Sequence, residues 1–180
     1  MASFAERLLR ALGRALARQQ GSSKQRPTPT PSAPSKGQTR SRASKGRASD
    51  FRGTTTITYD PHADDRADPG EIVWTWVPYE DQPSRGKDRP VLLIGWDEQW
   101  LLGLMLTSKD HDRDADDEAF HGRYWMDLGT GDWDSHKRPS EVRLDRILRI
   151  RPDSVRREGA ILDRRRFDAV ARAVKEIKGW

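Results

Sequence analysis

The chain has no cysteine, which excludes disulfides, thiolate metal sites and cysteine nucleophiles and fits a reducing compartment. It also lacks any apolar run near the ~20 residues that span a bilayer. The continuous apolar stretch of a secretory signal peptide is missing too, so cytoplasmic residence is the expectation. Hydrophobic residues are scarce, at 34% of 180, against ~45–50% in ordinary globular chains. A deficit of that size places part of the chain outside any packed core. Tryptophan is absent from the first 73 residues although the chain holds seven. Acids are almost absent from residues 1–50, where eleven Lys/Arg face only Glu6 and Asp50, for a net of +9. The remainder carries a net of −4, so the basic character belongs to the N-terminal tail.

Within that tail, residues 1–20 place Phe4, Leu8, Leu12, Ala15 and Leu16 at helical spacing, with Arg7, Arg10, Arg14 and Arg18 on another face. Ser3 and Glu6 form a capping-box pair and Gly21 a stop signal. The pattern predicts a short basic amphipathic helix. Residues 1–50 are therefore suited to peripheral contact with an anionic membrane or with nucleic acid. Residues 21–68 read as a disordered linker, with Pro27, Pro29, Pro31 and Pro34 set among Ser, Thr, Lys and Arg at the start.

The packed domain is expected over residues 69–180. Residues 71–79 (EIVWTWVPY) are β-branched and aromatic and predict a strand. Residues 80–88 predict a polar loop, 91–94 a buried strand closed by Gly95, and 100–106 a third strand. After the acid-rich excursion of residues 109–123, strands are expected at 124–128 and 140–150. The last points Val142, Leu144 and Ile147 inward, and Arg143 and Asp145 to the opposite face. A turn of helix is expected at 153–158. A final helix at 163–178 has Asp163 as N-cap and Phe167, Val170, Val174 and Ile177 as its apolar stripe. Five strands and a terminal helix make a mainly β domain, a small barrel or curled sheet covered by a helix.

Several polar residues fall at strand ends, where a rigid scaffold holds them. Arg89 starts a strand, Thr107 and Ser108 end one, and Arg143 and Asp145 share one strand face. A guanidinium flanked by hydroxyls suits a phosphate, and a carboxylate beside a second Arg orients that fork or takes a proton. Solvated ion pairing explains an Arg-x-Asp pair equally well.

Residues 69–107 resemble the PemK/MazF/Kid family of toxin–antitoxin endoribonucleases. The likeness rests on PGEIVW (69–74), RPVLLIG (89–95), LTS (106–108) and VRLDR (142–146), in family order. The resemblance implies an SH3-like small barrel, a homodimer, a cognate antitoxin and cleavage of single-stranded RNA without metal or cofactor. By position it implies Arg89, Thr107, Arg143 and Asp145 as catalytic. Arg89 is then the phosphate contact, Thr107 its hydroxyl partner, Asp145 the base, and Arg143 the acid or an electrostatic stabiliser. Ser84 and Lys87 at the gating loop, Ser108 and Trp133 are expected to contact RNA, Trp133 by base stacking.

The chain departs from the family pattern in its basic tail, in Asp145-Arg146 where members often carry Asp-Gln, and in the acidic run after Ser108. Asp110, Asp112, Asp114 and Asp116 have EF-hand spacing, but Ala115 and His121 stand where glycine and glutamate are needed, so a solvated acidic loop is expected. His111, His121 and His136 read as surface residues, with His111 or His121 a substitute base. Two other functions fit the same fold: a non-catalytic interaction or nucleic-acid-binding module tethered by the tail, and a topoisomerase poison of the CcdB type.

Overall fold

The structure, a computed structural model, describes residues 48–111 and 115–180. The expected N-terminal helix at 1–20 and the linker up to residue 47 lie outside the described residues. The described elements are β1 (Ser49–Asp50), β2 (Glu71–Pro78), β3 (Gly86–Asp97), β4 (Trp100–Thr107), α1 (Ala115–Phe120), β5 (Trp125–Gly129), β6 (Ser140–Ile150), a 3-10 turn (Pro152–Ser154), β7 (Arg157–Ile161) and α2 (Arg164–Lys178). All pairings are antiparallel, in the order β1-β6-β4-β3-β2-β7. The outer edge of β6 is shared by β1 at one end and β5 at the other. The result is a mainly β half-barrel with a C-terminal helix, as the sequence leads one to expect.

Alternation along the strands divides the apolar residues between two faces. Ile72, Leu92, Ile94, Leu102, Leu104, Leu106, Val142 and Leu144 lie beneath α2, against Phe167, Val170, Ala173 and Val174. Val73, Val77, Val91, Leu93, Leu101, Met105, Leu148 and Ile150 form the second face. Gly103 lets β4 lie close to β3, because a Cβ there would meet Val91 Cγ1 at 2.4 Å. Asp163 caps α2 by accepting from Arg166 N–H at 3.0 Å, and Gly179 ends it in the left-handed region at φ 70°.

One irregularity shapes the site. β4 and β6 pair Leu104 with Ile147 but Leu106 with Val142, so Met105 alone faces the four residues Arg143 to Arg146. A bulge of this size bends the strand and re-aims its side chains. Lys178 of α2 donates to the Asp145 carbonyl and ties the helix to this bulge.

Two expectations are corrected. Residues 48–68 are packed chain, not linker: Phe51 N–H bonds Ile147 O at 2.8 Å, Thr58 N–H bonds Ile94 O at 3.0 Å and Tyr59 Oη bonds Leu162 O at 2.8 Å. Phe51, Ile57 and Tyr59 pack on the core and Ala48 is buried, so packed chain is present well before residue 69. The expected helical turn at 153–158 shrinks to the 3-10 turn, and β7 follows because pairing with β2 satisfies its backbone.

Candidate active site

The alternation of β3 and β4 aims Arg89 and Thr107 at the face that carries Val91 and Met105. Val91 pairs with Met105, and continuing that register sets Arg89 opposite Thr107. Thr107 pairs in turn with Glu141, and Glu141 with Asp127. Lys87, Arg89, Thr107 and Ser108 line one cleft of about 190 Å³, together with Trp74, Asp134, Arg138 and Ser140. Four of the expected site residues are thus brought together.

The Arg89 guanidinium is half-buried and has no hydrogen-bond or ion-pair partner among the described residues. Burial holds its pKa below the usual guanidinium value; Tyr79 opposes that shift and the nearby charge of Arg146 adds to it. It remains a cation, and an unsatisfied one, which is the state of a group kept for an anionic ligand. Thr107 Oγ1 accepts from Lys109 N–H at 3.2 Å, leaving its hydroxyl proton to donate.

Arg143 and Asp145 do not line this cleft. Arg143 occupies the next position along the same face, two residues from Glu141 and paired with Trp125. It is buried, 5% exposed, yet amply partnered. Its Nε lies 3.1 Å from both Asp145 oxygens and its Nη2 2.8 Å from Oδ2. Glu80, from the β2–β3 loop, accepts from Nη1 at 2.9 Å and from Nη2 at 3.3 Å. Burial works hardest against the charge of Arg143, but the bonds and charges of Asp145 and Glu80 outweigh it and raise the pKa. A guanidinium held that firmly is not a proton donor. Glu80 is pulled below the usual carboxylate range, chiefly by its bond to Arg143, with the charges of Arg143 and Arg146 also acting. Arg146 links the two halves of the site: buried, bonded to Asp50 Oδ1 at 2.8 Å and Pro78 O at 3.0 Å, it lies within electrostatic reach of both Arg89 and Glu80.

Ser84 is exposed in the β2–β3 loop. Trp133 is corrected: it is 2% exposed, donates to Ser140 Oγ at 3.2 Å and accepts at its carbonyl from Trp74 Nε1 at 3.0 Å, so its ring is core and presents no face to a base.

His111 is also corrected, from surface to interior. It is 9% exposed, its Nδ1 lies 2.8 Å from Glu141 Oε2, and its ring stacks on Trp125 at 4.0 Å and 2°. Sequence reading missed Glu80, Glu141 and Trp125 as site residues. Glu80 lies in the β2–β3 loop and Trp125 at a strand start, and period-two alternation from Arg143 would have placed Glu141 on the same face. The acidic excursion holds α1, and its Glu118 turns inward to Arg123 at 2.6 Å and Trp125 Nε1 at 3.1 Å. Of the EF-hand spacing, Asp112 and Asp114 lie outside the described residues. Among those described, no group of three or more metal-ligating side chains gathers.

The family description "PemK-like, MazF-like toxin of type II toxin-antitoxin system" matches residues 68–177, more than half of the chain and every candidate residue above. The chain belongs to this family. No curated protein matches it. As a PemK-like toxin of a type II system, it has an antitoxin as its partner. The family description does not reach residues 1–67, so it includes neither β1 nor the packed strap of residues 51–67.

Proposed function

We propose that this PemK-like toxin is an endoribonuclease that cleaves single-stranded RNA by internal attack of a ribose 2′-hydroxyl, without a metal ion. The observation that carries the reading is the half-buried Arg89 guanidinium, without a hydrogen-bond or ion-pair partner among the described residues, across from Thr107 in a cleft that also holds Lys87 and Ser108. Such a fork binds two phosphate oxygens at once, and the Thr107 hydroxyl supplies a neutral donor next to it. Arg143, fixed by Asp145, adds a second cation on the same face. Both cations favour the dianionic phosphorane over the monoanionic phosphodiester, which is the source of rate enhancement in electrostatic catalysis. The 2′-oxygen becomes bonded to phosphorus, the 5′-oxygen leaves, and the products carry a 2′,3′-cyclic phosphate and a 5′-hydroxyl. With the nucleophile internal to the substrate, no activated water and no metal are needed.

Asp145 serves here to hold Arg143, since its oxygens accept from Arg143 and from Tyr124 N–H. The reading includes a homodimer, a cytoplasmic site of action and silencing by antitoxin occupancy of the same face. The test is incubation of purified protein with single-stranded RNA in EDTA, followed by mapping of the product ends. Cyclic phosphate and 5′-hydroxyl termini support the reading; intact RNA with salt-sensitive binding retained favours the non-catalytic alternative.

A further inference from the structure

Asp145 Oδ1 accepts from Tyr124 N–H at 2.8 Å and from Arg143 Nε at 3.1 Å, and Oδ2 accepts from Arg143 Nη2 at 2.8 Å. A carboxylate so engaged holds its neighbour and leaves the 2′-hydroxyl in need of another proton acceptor. The segment that follows β4, packed on the same sheet face through Glu141 and Trp125, supplies one. We infer that His111, oriented by Glu141 and stacked on Trp125, is the general base of the cleavage. The inference rests on the nuclease reading above and names the residue that moves the proton.

Three contacts hold the residue, two of them on its ring. The His111 backbone N–H donates to Glu141 Oε1 at 3.0 Å, ring Nδ1 lies 2.8 Å from Glu141 Oε2, and the imidazole stacks on the Trp125 indole with centroids 4.0 Å apart. A carboxylate at Nδ1 selects the tautomer that carries its proton there, so Nε2 keeps its lone pair. Nε2 has no partner among the described residues. The location follows from register: Glu141 pairs with Thr107 and Trp125 with Arg143, so both residues that grip the ring adjoin the groups assigned to phosphate. Glu141 from β6 and Glu118 from α1, the latter within electrostatic reach of the ring, are the charges that face His111. Arg143, 5.9 Å from the Trp125 ring centre, is the nearby cation.

In the step, Nε2 takes the 2′-hydroxyl proton as the 2′-oxygen bonds to phosphorus. The P–O5′ bond breaks, and the departing oxygen takes a proton from a solvent water. The hydroxide so formed is neutralised by the imidazolium proton, which restores the neutral ring. Protons balance and no oxidant or cofactor enters.

The test uses the full chain, an RNA oligonucleotide that the wild type cuts, EDTA, and single-turnover rates from about pH 5 to 9. His111→Ala is expected to slow cleavage by about 10²–10⁴-fold, the usual contribution of a positioned base. Added imidazole is expected to restore rate in proportion to its concentration, by filling the space against Trp125. His111→Gln, nearer in shape and checked for folding by thermal melting, is expected to lose the acidic limb of the pH–rate profile. Glu141→Gln, at a positioning residue, is expected to shift that limb and keep it. If His111→Ala cuts at the wild-type rate with the wild-type profile, the inference is overturned and the nuclease reading stands. If a folded His111→Gln keeps the limb and imidazole rescues nothing, His111 only packs and the inference is likewise overturned. Wild type that leaves every RNA intact overturns both.

Discussion

Glu80 Oε2 lies 2.9 Å from Arg143 Nη1, so a carboxylate from the β2–β3 loop covers the Nη1/Nη2 end of a guanidinium whose Nε/Nη2 edge is taken by Asp145. Arg143 is thereby held between two carboxylates, while Arg89 has no such partner among the described residues. The Glu80 side chain is half exposed, at 54%, so its departure exposes little apolar surface and the loop is free to give way to a phosphate.

Glu80→Gln therefore weakens a competitor of the substrate. RNA affinity is expected to rise by about three- to tenfold, as a partly exposed ion pair contributes about 1 kcal/mol. The melting temperature is expected to fall only slightly. Quantitative RNA-binding and cleavage assays at fixed ionic strength check this, and a variant that binds RNA more weakly than the wild type contradicts it.

Arg89→Ala separates activity from stability. With no partner to lose among the described residues, the variant is expected to melt within about a degree or two of the wild type, as surface-type changes fall within ~0.5 kcal/mol. Cleavage is expected to drop by about 10²–10³-fold, the measured scale for one transition-state donor. Arg89→Lys keeps the charge without the fork, and is expected to recover only part of the rate.

Acid sensitivity follows from two depressed carboxylates. The Arg123 bond holds Glu118 down from 4.5 to about 2, and the Arg138 bond holds Asp134 down from 3.8 to about 2. A carboxyl whose folded pKa is lowered adds stability that is complete above its unfolded value and vanishes as pH falls through the folded one. Melting temperature is thus expected to be flat above about pH 5 and to decline toward pH 2. Glu118→Gln is expected to lose roughly 1–2 kcal/mol at neutral pH and to show a shallower decline. Melting curves across that range decide it.

Truncation tests where the folded unit starts. Removal of residues 1–45 is expected to leave the sheet and its cooperative melting intact, because it spares buried Ala48, β1 and the packed residues that follow. Removal through residue 68 takes β1, the Asp50 partner of Arg146 and the packed Phe51, Ile57 and Tyr59. That loss is expected to exceed ~3 kcal/mol, the scale of deleting a single core aromatic.

The strands that read most clearly are those whose neighbours are mostly local or whose pattern is strict. β6 matches residues 140–150 at both ends, since Val142 and Leu144 alternate with charged residues, and α2 carries both an N-cap and an apolar stripe. β7 was hidden because it forms only by pairing with β2, far away in sequence, and carries few apolar residues. The strap at 51–68 was hidden by its threonines, which pack through backbone bonds and three scattered large side chains. Trp133 looked exposed in its Gly/Asp-rich turn, yet Gly159 of β7 backs it closely enough that a Cβ would meet Trp133 Cβ at 3.2 Å. In the site, Arg89 and Thr107 were legible as strand-end residues. The His111–Glu141 pair was not, because residues 30 apart with α1 and β5 between them leave no period to read.

The most direct test of the central claim, that this face cuts RNA through the ribose 2′-hydroxyl, compares two oligonucleotides in EDTA. One is all ribose, and the other has a single 2′-deoxy nucleotide on the 5′ side of the mapped cleavage position. The all-ribose strand is expected to be cut to a 2′,3′-cyclic phosphate and the substituted strand to remain whole. Equal cleavage of both would contradict the account.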